Sequence, residues 1–165
     1  MTANQQHTSS KKLVLGAIVV IAIFSAIGLF SSIASKPTPT TTTNPQTKAY
    51  VKWLSKFSPE TLTVFKLVTR AENSFSSNNL NRATNSFNLL LDEAIKVGSL
   101  DNSPETQTNA DVMNFSLAIH ATATDGFSVA SGTGSLATFQ QDIVTLNQEA
   151  VILDKDIVRL NKIYK

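Results

Sequence analysis

Residues 136–160 read LATFQQDIVTLNQEAVILDKDIVRL, and the reading of this stretch decides the fold. Leu136, Phe139, Ile143, Leu146, Ala150, Leu153, Ile157 and Leu160 are spaced by alternating steps of three and four, which puts all of them on one side of an α-helix. An apolar seam kept up over so many turns needs partner helices to cover it, as in a coiled coil or a bundle. Val144, Val151 and Val158 lie one position beyond the seam at seven-residue intervals and predict a widened buried stripe. A wide stripe suits a multi-helix bundle better than a two-stranded coiled coil. Asp142, Glu149 and Asp156 repeat with the same interval on the other flank and read as a solvated edge, with an acidic docking stripe as the alternative.

Working back toward the N-terminus, Ser131-Gly132-Thr133-Gly134-Ser135 is a break whose last serine can cap the next helix. Pro104 to Ala130 reads as a helix apolar around much of its girth, with Val112, Phe115, Ile119 and Phe127, entered through Ser103-Pro104-Glu105. Leu80 to Val97 presents Leu80, Ala83, Phe87, Leu90, Leu91, Ala94 and Val97 on one face, and Gly98 behind it fits a left-handed C-terminal cap. Ser58-Pro59-Glu60 reads as another helix start, giving Pro59 to Ser77 with Phe65, Val68, Ala71 or Glu72, and Phe75 inward. Before it, Ala49 to Phe57 forms a short lead-in with Tyr50, Trp53, Leu54 and Phe57 on one side. Short connections make neighbours antiparallel. The predicted fold is therefore all-α, an up-down bundle of about four helices over residues 49–165.

The N-terminal part is built differently. Residues 1–12 form a basic tail ending in Lys11-Lys12, and residues 13–34 read LVLGAIVVIAIFSAIGLFSSIA, 22 residues without a charge. Leu13, Ile18, Ile23, Phe24, Leu29 and Phe30 typify a segment that, as a helix, matches the bilayer hydrocarbon thickness of about 30 Å. It is expected to be a transmembrane helix serving as an uncleaved signal anchor. The alternative is a cleaved signal peptide, with Ser32-Ile33-Ala34 supplying small residues for cleavage after Ala34 and release of a secreted protein. Against cleavage, the apolar run exceeds the roughly 7–15 residues of a signal core. Residues 35–48 follow as a Pro/Thr-rich linker. Lys36 to Lys48 reads KPTPTTTTNPQTK, with three prolines and six threonines in thirteen residues, an extended tether of the kind found on cell exteriors. Lys11 and Lys12 favour a cytoplasmic N-terminus, which places the bundle outside the membrane.

Charge and cysteine usage narrow the function classes. No acid precedes Glu60, and 12 Lys/Arg against 12 Asp/Glu follow the apolar segment, so the formal +2 comes from the tail alone. A formally neutral domain lacks the excess of cations that phosphate neutralisation demands, and no nucleic-acid partner is expected. The absence of cysteine excludes disulfides, thiolate metal sites and thiol nucleophiles. No catalytic, cofactor-binding or metal site is expected either. His120 stands amid Leu117, Ile119 and Ala121 without the Glu-x-x-His spacing of bundle metal sites. Asp92 and Glu93 are adjacent and diverge by about 100° on a helix, and Gly132-x-Gly134 lacks the strand and lysine of a phosphate loop. Tyr50 and Trp53, ringed by Lys48, Lys52 and Lys56, read first as core and second as a basic–aromatic patch on a membrane.

The layout resembles small single-pass or lipid-anchored helical surface proteins of Gram-positive, particularly actinobacterial, bacteria. That resemblance rests on KKLVLGAIVVIAIFSAIGLF, the PTPTTTTNP spacer, and Asn102-Ser103-Pro104-Glu105 opening a long helical hairpin that ends at Leu160. It implies a location and a fold type and brings no catalytic residue. Type IV pilins place a glutamate early in the apolar stretch, where none stands here, and hairpin proteins with a Trp-x-Gly turn need glycine at position 55, where Ser55 stands. The expected function is a membrane-tethered, non-enzymatic interaction or envelope component, whose partners are the lipid bilayer and a protein or a second copy of the chain. An extracytoplasmic small-ligand-binding or sensing bundle, with a pocket near His120 or Asp111, is the second reading.

Overall fold

The computed structural model describes residues 44–164, which fold as four α-helices, and no strand occurs among them. Helix α1 spans Pro45–Ser76, α2 Leu80–Gly98, α3 Thr106–Ala130 and α4 Leu136–Ile163. The basic tail, the apolar segment 13–34 and the tether up to residue 43 lie outside the described residues. Among the described residues no helix is long and apolar enough to cross a membrane.

The boundaries follow capping chemistry, at some positions different from those expected. Asn44 caps α1, its side-chain oxygen accepting from the Gln46 N–H at 2.9 Å, and Pro45 occupies the first turn, where its missing donor costs nothing. Residues 45–48, read as the end of the tether, are thus the first turn of a helix. Asn79 caps α2 through the Arg82 N–H, and Ser135 caps α4 through the Thr138 N–H, the latter as expected. Helix α3 starts at Thr106 rather than Pro104. Ser103 turns its hydroxyl onto the Glu105 carbonyl, and its own N–H is held by the Asn109 side chain at 2.6 Å.

Two punctuation marks act otherwise than the sequence suggests. Pro59 lies inside α1 instead of dividing it. The buried residues Tyr50, Trp53, Leu54, Phe57, Thr61, Val64, Phe65, Val68 and Ala71 keep one helical phase across it, so a break would misalign two halves of one apolar face. Pro59 itself is exposed, so the Ser55 carbonyl it leaves unpaired in the helix faces the solvent side. Gly98 is the last residue of α2 and has no left-handed backbone; that conformation belongs to Asn78 (φ 57°) in the α1–α2 turn and Gly132 (φ 79°) in the α3–α4 turn.

The helices pack in antiparallel order. At one end of the bundle Tyr50 of α1 stacks on Tyr164 behind α4 with ring centroids 5.4 Å apart, and its hydroxyl donates to Asn161 Oδ1 at 3.1 Å. Trp53 stacks on Phe57 at 4.9 Å and donates its indole N–H to the Leu100 carbonyl at 2.8 Å, tying α1 to the α2–α3 connection. At the other end Phe75, Phe87 and Phe139 of α1, α2 and α4 form a cluster with centroids 5.6–6.0 Å apart. Small residues bring α2 and α3 close: Ser116 Oγ donates to the Ala94 carbonyl at 2.7 Å beside Gly98, and Gly126 lies flat against the Phe87 ring. Tyr50 and Trp53 are 2% and 3% exposed, which rules out their forming a membrane-facing aromatic patch.

The seam expected in 136–160 is the buried side of α4, Leu136 being half-buried at its edge. Its flanks reverse the expectation. Val144 and Val158 are 44% and 46% exposed and Val151 is half-buried, whereas Asp156 is buried and Asp142 and Glu149 are half-buried. The widened stripe of α4 is its acidic side.

Candidate functional site

The acidic flank of α4 is covered by α3, and α3 meets it with acids of its own. Asp111, buried at the N-terminal end of α3, faces the Asp156 carboxyl of α4 and accepts from the Gln107 amide at 3.1 Å. Asp125, further along α3, faces the Asp142 carboxyl. A third pair lies between α1 and α2, where Glu60 faces Glu93, a side chain only 2% exposed. Two carboxyls can share a hydrogen bond only when one holds a proton, so such contacts favour the protonated form.

Cations complete two of the pairs. Lys96 Nζ lies 3.0 Å from Glu93 Oε2, and Arg159 bridges Glu105 and Asp156, the latter at 2.9 Å. Burial is the first cause of the raised pKa in each shifted acid. It lifts Glu93 and Asp111 above the carboxylate range, with the partner carboxyl adding to the rise and Lys96 or Arg159 opposing it. Asp142, with no cation opposing, is pushed up to about 6 by burial and then by Asp125. Glu72 of α1 is pushed up to about 8 by burial alone, and its Oε1 has no hydrogen-bond partner. Paired carboxyls serve glycoside or acyl chemistry when a cleft lets substrate between them. These face each other across helix contacts, so their chemistry is the pH dependence of helix packing.

Of the residues weighed from sequence, Asp92 and Glu93 are separated by burial, the first exposed and the second enclosed. His120 is exposed on α3, and Asp111 is engaged by Gln107 and Asp156. Among the described residues no group of three or more His, Cys, Asp or Glu side chains is placed to hold a metal ion. The Glu60–Glu93, Asp111–Asp156 and Asp125–Asp142 pairs were not foreseen. Only the seven-residue repeat Asp142, Glu149, Asp156 pointed toward any of them, and it was assigned to the solvent.

A second feature lies on the outside of α1. Lys48, Lys52, Lys56, Lys66 and Arg70 are all exposed, and none of them takes part in the ion pairs of the described residues. Toward the α1–α2 turn the surface sinks into a depression of about 560 Å³ lined by Leu62, Phe65, Lys66, Thr69, Arg70, Asn73, Ser74 and Arg82. Three cations thus meet over an apolar floor, and the Thr69 hydroxyl oxygen is buried without a hydrogen-bond partner. Neither His120 nor Asp111 lines this depression.

No protein-family model, curated protein or solved structure matches the chain.

Proposed function

We propose that this chain is a membrane-tethered helical bundle that works without catalysis, as an interaction or envelope component on the outer side of the membrane. The carrying observation is the join between two unlike parts. An uncharged 22-residue apolar stretch and a Pro/Thr spacer lead straight into Asn44-Pro45, which caps a helix of 32 residues packed into a bundle. In this reading Leu13 to Ala34 spans the bilayer once, Lys11-Lys12 stays in the cytoplasm, and the bundle stands outside on its tether. The paired acids lie at contacts between helices, which supports a non-enzymatic role. Kinship with the small helical surface proteins of Gram-positive bacteria belongs to the same proposal.

Membrane fractionation with mass spectrometry of the mature chain tests the tether. The expected chain stays with the membrane through an alkaline wash and retains residues 1–34. A soluble chain beginning at Ser35 would replace the tether with secretion.

A further inference from the structure

Half of the lysines and arginines among the described residues lie along one exposed side of α1. Among the described residues α1 carries Lys48, Lys52, Lys56, Lys66 and Arg70 on its exposed side, while its acids, Glu60 and Glu72, turn toward neighbouring helices. Helix α3 and helix α4 hold half of the acids: Asp111, Asp125, Asp142, Glu149, Asp154 and Asp156. Exposed apolar side chains, Val51 and Leu62, lie among the α1 cations, and near the end of the helix Lys66, Arg70 and Arg82 converge on the depression floored by Leu62 and Phe65. Cations around an apolar floor, beside a hydroxyl oxygen that lacks a partner, suit a ligand with an anionic head and a hydrocarbon tail.

We infer that the exposed side of α1 lies against the anionic lipid headgroups of the membrane to which the chain is tethered, and that the Lys66–Arg70–Arg82 depression takes one such headgroup. This inference rests on the tether reading. Chain length makes the membrane the occupant within reach. The ten residues 35–44 between the apolar segment and α1 extend to at most about 35 Å, so the start of α1 stays within that reach of the bilayer. An upright bundle would lift Lys66 and Arg70 about 30 Å along the helix from Pro45, beyond the roughly 8 Å over which physiological salt lets charges act. A bundle lying on α1 brings every one of these cations to the surface.

The natural absence of cysteine allows a direct test on the full chain. Single variants Asn73→Cys, in the depression, and Thr124→Cys, exposed on α3, are reconstituted in vesicles of phosphatidylcholine alone or with phosphatidylglycerol, and maleimide labelling rates are compared. Asn73→Cys is expected to label at least about fivefold more slowly when phosphatidylglycerol is present, the factor one surface cation contributes toward an anionic membrane. Thr124→Cys is expected to label equally in both. Adding Lys66→Gln, Arg70→Gln and Arg82→Gln to the Asn73→Cys chain should restore its rate. A chain that floats with both vesicles while Asn73→Cys labels equally fast overturns the lipid-facing side of α1 and leaves the tether standing. A chain that floats with neither overturns the tether and this inference together.

Discussion

Gly126→Ala adds one methyl group to α3 at the point where that helix meets the Phe87 ring. On an open helix surface the change stabilises by about 1 kcal/mol, because alanine loses less backbone entropy than glycine. Here the new carbon would overlap the ring edge, lying only 2.8 Å even from Cδ1. Phe87 is fully buried and held by Phe75 and Phe139, each with its centroid at 5.6 Å, so it cannot swing aside without disturbing two aromatic contacts worth about 0.5–1.5 kcal/mol apiece. Forcing a methyl into such a site costs about 1–3 kcal/mol in addition. The sum, less the propensity gain, is a loss of about 3 kcal/mol, or roughly 9–18 °C in Tm for a domain of this size. Thermal and urea unfolding of residues 44–165, followed by far-ultraviolet circular dichroism, measures it. In a Phe87→Leu background the overlap shrinks, and the double-mutant cycle should recover at least half of the loss. An unchanged or raised Tm for Gly126→Ala alone would refute the close α2–α3 approach.

Three further outcomes follow from the same structure. Asp142 and Glu72 keep their protons in the folded chain up to pH of about 6 and about 8, while in the unfolded chain they lose them near pH 4. The folded state therefore binds more protons across that window, so stability should fall as pH rises from 4 to 8; Asp142→Asn should remove about 1–2 kcal/mol of that fall after allowance for its partial exposure, and a denaturation midpoint higher at pH 8 than at pH 5 would contradict the assignment. Pro59→Ala should stabilise by about 1–2 kcal/mol by restoring the donor to the Ser55 carbonyl in a continuous α1, and a loss of stability would argue for a real break there. Trp53→Phe should cost about 1–2 kcal/mol through the orphaned Leu100 carbonyl; native Trp53 should resist iodide quenching, and ready quenching would place it outside the core.

The seam of α4 was legible because its three-and-four spacing carries its own geometry, and Phe139, Ile143, Leu146, Ala150, Leu153, Ile157 and Leu160 are all buried. Which flank widens it was not legible. Positions 142, 149 and 156 and positions 144, 151 and 158 are equally near the seam, and hydropathy favours the valines. The choice is made by where α3 lies, and α3 can cover aspartates because burial beside the carboxyls of Asp111 and Asp125 favours their neutral, protonated form. Local chemistry misled at Pro59 for the opposite reason. A proline followed by an acid is a good helix start in isolation, yet the apolar phase running through both sides of it outweighs one lost hydrogen bond. The acidic pairs and the cationic side of α1 stayed hidden because they join residues far apart in the chain or depend on which neighbours are ion-paired.

Four antiparallel helices are an even number, and the Tyr50–Tyr164 stack records the result: the chain finishes where the bundle began. A fluorescent protein or affinity handle fused after Lys165 would therefore crowd the tether. The turn at residues 131–135, where Gly132 has open space around it, lies at the opposite end, and an epitope inserted there would be displayed freely.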